Sequence, residues 1–108
     1  MTTYVFDIDG TICKTPGSEY SLATPITERI KTVNNLFDSG NRIFFQTARG
    51  MGSSNNNTEI SSQLWRKLTI DQLNQWNIKF HGLFFGKPSG DFYVDDKGMS
   101  DLLFFKDS

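Results

Sequence analysis

One cysteine and one histidine leave this 108-residue chain short of the residues that build disulfide frameworks or multi-cysteine zinc sites. Cys13 alone cannot close an internal disulfide, so the expectation is a reducing, cytoplasmic compartment with Cys13 as a passive small residue. An excess of one charge is missing too, since 11 Lys and Arg against 12 Asp and Glu leave a net charge of −1. That balance argues against a polynucleotide or anionic-membrane partner, although it leaves room for a local basic pocket. Apolar runs such as Leu83 to Phe85 and Leu102 to Phe105 fall far below the ~20 residues of a membrane-spanning helix. The opening Met1 to Phe6 has no basic stretch followed by a long apolar one, so no secretion signal is expected.

What is present is a composition of 37% hydrophobic and 21% charged residues, ordinary for one compact domain over residues 1–108. A chain of this size buries roughly two-thirds of its unfolded surface, enough for one core without a second lid domain. Thr3 to Ile8 is rich in aromatic and β-branched residues and reads as a buried strand broken at Gly10. Residues 11–23 lack a helical period and read as a flap loop. Thr24-Pro25 reads as an N-cap and first turn of a helix to about residue 39, with Ile26, Ile30, Val33 and Phe37 as its apolar stripe. Arg42 to Gln46 reads as a second strand, which completes a βαβ unit whose strand ends share one edge of a parallel sheet.

Further along, residues 50–58 are polar and read as a mobile loop, and 58–68 stay open between helix and extended structure. Thr69-x-x-Gln72 resembles a capping box opening a second helix with Leu73 and Trp76 inward. Leu83 to Phe85 and Phe92 to Val94 read as two more short strands, and Leu102 to Phe105 as a docking tail. Phe44, Phe45, Phe84 and Phe85 are the expected sheet core, and the placing of Trp65 and Trp76 leaves self-association open. The expected fold is α/β, a Rossmann-like three-layer sandwich around a mostly parallel sheet.

Four strand ends then carry chemistry: Asp7 and Asp9, Thr47, Lys87, and Asp95 with Asp96. This is the carboxyl edge at which open α/β sheets bind ligands. Converging carboxylates repel unless a divalent cation lies among them, and all-oxygen ligands suit Mg²⁺. A hydroxyl and an ammonium facing that ion supply what a phosphoryl group needs.

Phe6-Asp7-Ile8-Asp9-Gly10-Thr11-Ile12 resembles the first motif of the haloacid dehalogenase superfamily. Thr47 in Gln46 to Gly50, Lys87 in Gly86-Lys87-Pro88, and Asp95-Asp96 in Tyr93 to Lys97 resemble the other three, in order. The resemblance implies a phosphatase without a cap domain, because both intervals where caps are inserted are short. It implies Asp7 as the nucleophile that forms an aspartyl-phosphate, and Asp9 as general acid and then base. Gly10 and Thr11 would shape the phosphate turn, and Thr47, Ala48 and Lys87 would hold the phosphoryl group. Asp7, Asp9 through its carbonyl, and Asp95 or Asp96 would hold Mg²⁺. The shorter strings also resemble small phosphatases of capsular and surface polysaccharide biosynthesis, which implies a small phosphorylated substrate such as a sugar phosphate. Kinase-linked nucleic-acid phosphatases, which also use capless domains of this kind, are the alternative, as is a non-catalytic phospho-binding module.

Arg49, just past Thr47, is a candidate substrate contact, set against the structural role that an arginine beside a turn more often plays. His81 reads as a surface or turn residue rather than a metal ligand. A receiver-like signalling module also combines acids, Thr and Lys on a parallel sheet, but here the Asp-Gly-Thr string directly follows Asp7.

Overall fold

The computed structural model describes residues 1–106. Strand β1 (Thr3–Phe6) pairs in parallel with β4 (Arg42–Thr47), which pairs in parallel with β5 (Gly82–Phe85), so the sheet order is β1-β4-β5. Two-residue strands β2 (Cys13–Lys14) and β3 (Thr24–Pro25) form a small antiparallel ribbon in the flap. Helices α1 (Thr27–Asp38) and α2 (Thr58–Gln75) flank the sheet, and α3 (Asp101–Phe105) closes the described chain. The result is the Rossmann-like α/β arrangement that the βαβ pattern implied.

The core follows the alternation of the strands. Ile43, Phe45 and Thr47 are buried on β4, and Ile30 and Val33 of α1 join Phe6, Ile8, Ile12 and Leu73 against them. Phe44 and Phe85 are half-buried, whereas Phe84 is 58% exposed, because β5 is an edge strand with limited cover. Phe104 and Phe105 dock on Phe6 with ring centroids 5.4 and 6.0 Å away, while Leu102 and Leu103 stay exposed. Asp101 anchors that tail through Arg29 of α1 at 2.8 Å.

Several local expectations change. Thr24-Pro25 is β3 rather than a helix start, since Lys14 and Cys13 pair with it, and α1 begins at Thr27 after Ile26. The segment 58–68 is helical and continuous with residues 69–75, because Asn57 supplies the cap by accepting from the Ile60 N–H at 3.0 Å. Thr69 and Gln72 therefore lie buried inside α2 and open no helix. The polar stretch before α2 forms a series of turns, with Met51 buried and the Ser54 N–H donating to Gly50 O.

Phe92 to Val94 forms no strand. The connection from Gly86 to Asp91 is far shorter than the roughly dozen residues a parallel crossover takes, so this run cannot return to the start of the sheet. Phe92 and Val94 stand 89% and 98% exposed, and Tyr93 folds its ring over the Lys87 ammonium at 4.1 Å. The Tyr93 hydroxyl donates to Pro88 O at 2.7 Å and accepts from Gly90 N at 3.0 Å, which closes a tight loop.

Candidate active site

Parallel pairing sets the geometry of the sheet's C-terminal edge. Phe6 is in register with Phe45 and Thr47 with Phe85, so the residues just past the ends of β1, β4 and β5 emerge side by side. The Lys87 amide N–H donates to Thr47 O at 3.2 Å, and its ammonium lies 3.4 Å from Asp7 Oδ2. Asp7 and Lys87 are thus brought together, with the Thr47 backbone beside them, while the Thr47 hydroxyl is buried and accepts from Arg49 N at 3.0 Å. Burial raises the Asp7 carboxyl above its ordinary 3.8, against the opposing pull of the Lys87 charge and the Ile8 amide.

Asp9 is in a different environment from Asp7, two residues before it. Arg49 Nε donates to Asp9 Oδ2 and Nη2 to Oδ1, both at 2.9 Å, in a bidentate fork. The Thr15 hydroxyl also donates to Oδ1. Burial alone would raise this carboxyl, but the hydrogen bonds from Arg49 and Thr15 outweigh it and hold it below 3.8. Neighbouring Cys13 is buried and its thiol is pushed up to about 11, so it stays a protonated packing group.

Arg49 takes the structural role that an arginine beside a turn more often plays, as a carboxylate partner. Its side chain is fully buried, and its remaining donor group Nη1 bonds Thr69 Oγ1 at 3.1 Å and Gln72 Oε1 at 2.6 Å. The guanidinium also lies 5.1 Å from the Tyr20 ring centroid. Gln72 reaches on to the flap, its Nε2 donating to Tyr20 O at 2.6 Å, and the Tyr20 hydroxyl accepts from Gly50 N at 3.1 Å. Arg49 therefore ties the turn after β4 to Asp9 and α2, with the flap joined through Gln72. The Thr69-x-x-Gln72 spacing was the one sequence signal for this network, since two polar residues three apart on an inward helix face need a buried partner.

Gly10 adopts φ +82°, a conformation that strains residues with a Cβ. Its N–H donates to Cys13 O and that of Thr11 to Ile8 O, so both residues close the turn and neither amide is open to a phosphate. Ala48 lines the cleft over Asp7 and Asp9. Asp95 and Asp96 are exposed on the segment after the Tyr93 loop, away from the strand end the sequence assigned to them. His81 accepts from Ile43 N at 3.1 Å and stacks on Phe37, which is a structural part.

Among the described residues no three side chains of His, Cys, Asp or Glu stand close enough to hold a metal ion. Asp9 spends its carboxylate on Arg49, which leaves Asp7 as the open carboxylate at this edge. The expected magnesium ligands were the Asp7 carboxylate, the Asp9 carbonyl and one carboxylate of Asp95 or Asp96; of these, Asp7 and Asp9 border the cleft and Asp95 and Asp96 lie on an exposed segment.

The cleft has a volume of about 450 Å³ and is walled by Tyr20, Ala48, Arg49 and Trp65. Trp65 Nε1 is the buried side-chain polar atom without a hydrogen-bond partner among the described residues, at a cost of about 1–3 kcal/mol. The indole closes on Gly50, where a Cβ would stand 2.5 Å from Trp65 Cδ1. A larger, more open depression on α2, beside Arg66 and Asp71, holds none of these groups.

No family model matches the chain, and neither does any curated protein. Among solved structures, a structural-genomics target from Vibrio cholerae superposes with a TM-score of 0.89 at 22% identity, covering 100% of this chain and 90% of that one. A chain of a Pnkp1/Rnl/Hen1 complex gives 0.61 at 14% identity over 88% of this chain. A chain of a structure described as the Pnkp1/Rnl/Hen1 RNA repair complex gives 0.58 at 13% identity over 97%. This chain spans 30% of each of those two longer chains. At such identities the likeness is one of fold.

Proposed function

We propose that the chain is a phosphomonoester hydrolase of the haloacid dehalogenase superfamily that works through an aspartyl-phosphate on Asp7. The observation that carries this reading is the Lys87 ammonium 3.4 Å from the Asp7 carboxylate, beside Thr47 at the C-terminal edge of a parallel sheet. A carboxylate partly desolvated, yet still reachable from a cleft, is a nucleophile, and the adjacent cation offsets the charge of an incoming phosphoryl group.

In the first step an Asp7 oxygen forms a bond to phosphorus as the bond to the ester oxygen breaks, and the leaving oxygen departs with that electron pair and takes its proton from the solvent water of the open cleft, or from Asp9 in the fraction of molecules where Asp9 is protonated. In the second step water attacks the same phosphorus, Asp7 is released with the electrons of its acyl–phosphate bond, and inorganic phosphate departs. Lys87 neutralises the phosphoryl oxygens in both steps. Asp9, kept ionised by Arg49, is suited to take the proton from water in the second. Donating a proton to the leaving alcohol requires Asp9 to be protonated against Arg49, so good leaving groups react fastest.

The test is release of inorganic phosphate from an aryl phosphate and a panel of sugar phosphates and nucleotides. Loss of turnover in both Asp7→Asn and Asp9→Asn supports the reading, and equal rates in wild type and Asp7→Asn reject it. Magnesium dependence is read in the same assay, because Asp7, the Asp9 carbonyl and Asp95 or Asp96 are the ligands the motif resemblance implies. A second reading, removal of phosphate from polynucleotide ends, takes support from the fold likeness to the chain of the RNA repair complex.

A further inference from the structure

The cleft that holds Asp7 and Asp9 has a wall that the phosphoryl chemistry does not use. Tyr20 and Trp65 meet there edge to face, with centroids 4.8 Å apart and planes at 82°. Trp65 lies outside the hydrophobic cluster around β4, and its indole N–H is buried without a partner, so core packing does not account for its position. Ser18, Ser53 and Ser89 also line the cleft, and Ser89 Oγ comes within 3.7 Å of the site a Cβ on Gly52 would occupy. The one cation of the lining, Arg49, is committed to Asp9, Thr69 and Gln72.

These features select a ligand by charge and shape. Among the described residues that line the cleft, Arg49 is the one cation and is already committed, which leaves Lys87 beside Asp7 for a single phosphate, whereas the flanking phosphodiesters of a polynucleotide call for further cations. The edge-to-face pair does not form the parallel slot that sandwiches a nucleobase, while an indole wall with neutral hydroxyls complements a saturated ring bearing hydroxyl groups. We propose that Tyr20, Trp65, Ser18, Ser53 and Ser89 form a subsite for the uncharged, hydroxyl-bearing ring of a sugar monophosphate, with its single phosphate at Asp7 and Lys87. The subsite rests on the phosphomonoesterase reading above and names its substrate class.

The test uses an Asp7→Asn, Trp76→Phe protein, which keeps Trp65 as the single tryptophan. Hexose 1-phosphate, hexose 6-phosphate, inorganic phosphate, a nucleoside 3′-monophosphate and a 3′-phosphorylated dinucleotide are titrated against its fluorescence. The expected result is a change in Trp65 emission with a hexose phosphate, at an affinity at least about tenfold above that of inorganic phosphate. Calorimetry on Trp65→Ala then shows that preference lost, with inorganic phosphate binding unchanged, and Ser89→Ala, at an exposed position, gives the same selective loss in smaller measure. Tighter binding of the dinucleotide, or a sugar preference that survives both substitutions, overturns the subsite. Inorganic phosphate binding with no sugar preference removes the subsite alone, whereas a folded protein that binds no phosphate removes the phosphoryl site and the subsite together.

Discussion

Arg49 grips Asp9 through two parallel hydrogen bonds of 2.9 Å from a side chain with no solvent exposure. The pair gives two carboxylates of one short motif opposite electrostatic characters. Asp7 is partly desolvated with its ammonium partner at 3.4 Å, and Asp9 is fully compensated.

That opposition predicts stability effects of opposite sign. The raised Asp7 carboxyl means the fold favours its neutral form, so ionised Asp7 costs stability at neutral pH. Asp7→Asn is expected to raise Tm at pH 7, with the gain vanishing as pH falls below the unfolded value near 3.8. Asp9 has the reverse sign: its lowered carboxyl contributes stability above the unfolded value that is lost as pH falls through the folded one. Asp9→Asn therefore lowers Tm at pH 7, and its difference from wild type closes only in strong acid. Thermal melts of the three proteins from pH 7 downward check both curves.

Removing Arg49 leaves Asp9 unpaired and strands Thr69 and Gln72 inside α2. Arg49→Met is expected to cost about 3–5 kcal/mol in denaturant unfolding, the scale for breaking a buried pair. Arg49→Lys keeps the charge without the fork and recovers part of that loss. Asp9→Asn costs less in the Arg49→Met background than in wild type, because its partner is already gone. Equal costs in both backgrounds would show that the two side chains are not energetically coupled.

Gly50 and Gly40 separate conformational strain from steric conflict. Both have positive φ, +75° and +93°, but a Cβ at Gly40 meets nothing within 4 Å, whereas one at Gly50 meets Trp65 at 2.5 Å. Gly40→Ala is expected to lose about 1 kcal/mol or slightly more from backbone strain. Gly50→Ala loses more than that and shifts Trp65 fluorescence, whereas equal losses would mean that the indole yields freely.

The strands β1, β4 and β5 and the stripe of α1 were legible because their apolar periodicity and the turns after them agree. Asp7 and Lys87 converge beside the Thr47 backbone for the same reason, since parallel register alone aligns the strand ends. Phe92 to Val94 misled because apolar, aromatic composition says nothing of whether the preceding connection is long enough to reach the sheet. The partner of Asp9 was hidden in a polar pair, Thr69 and Gln72, whose pattern imitates a helix cap until Asn57 is seen to cap the helix. Trp65 went unplaced because burial of its indole depends on the absent Cβ of Gly50, a contact between residues far apart in an irregular turn and a helix.

The most direct test of the central claim is to look for phosphate on Asp7 itself. Wild type is mixed with an aryl phosphate, quenched during turnover and treated with borohydride, which reduces an acyl phosphate on aspartate to homoserine. Peptide mass spectrometry should find homoserine at position 7, absent from Asp7→Asn and from protein without substrate. Phosphate release with no reduction at position 7, or with reduction at another aspartate, would contradict the account.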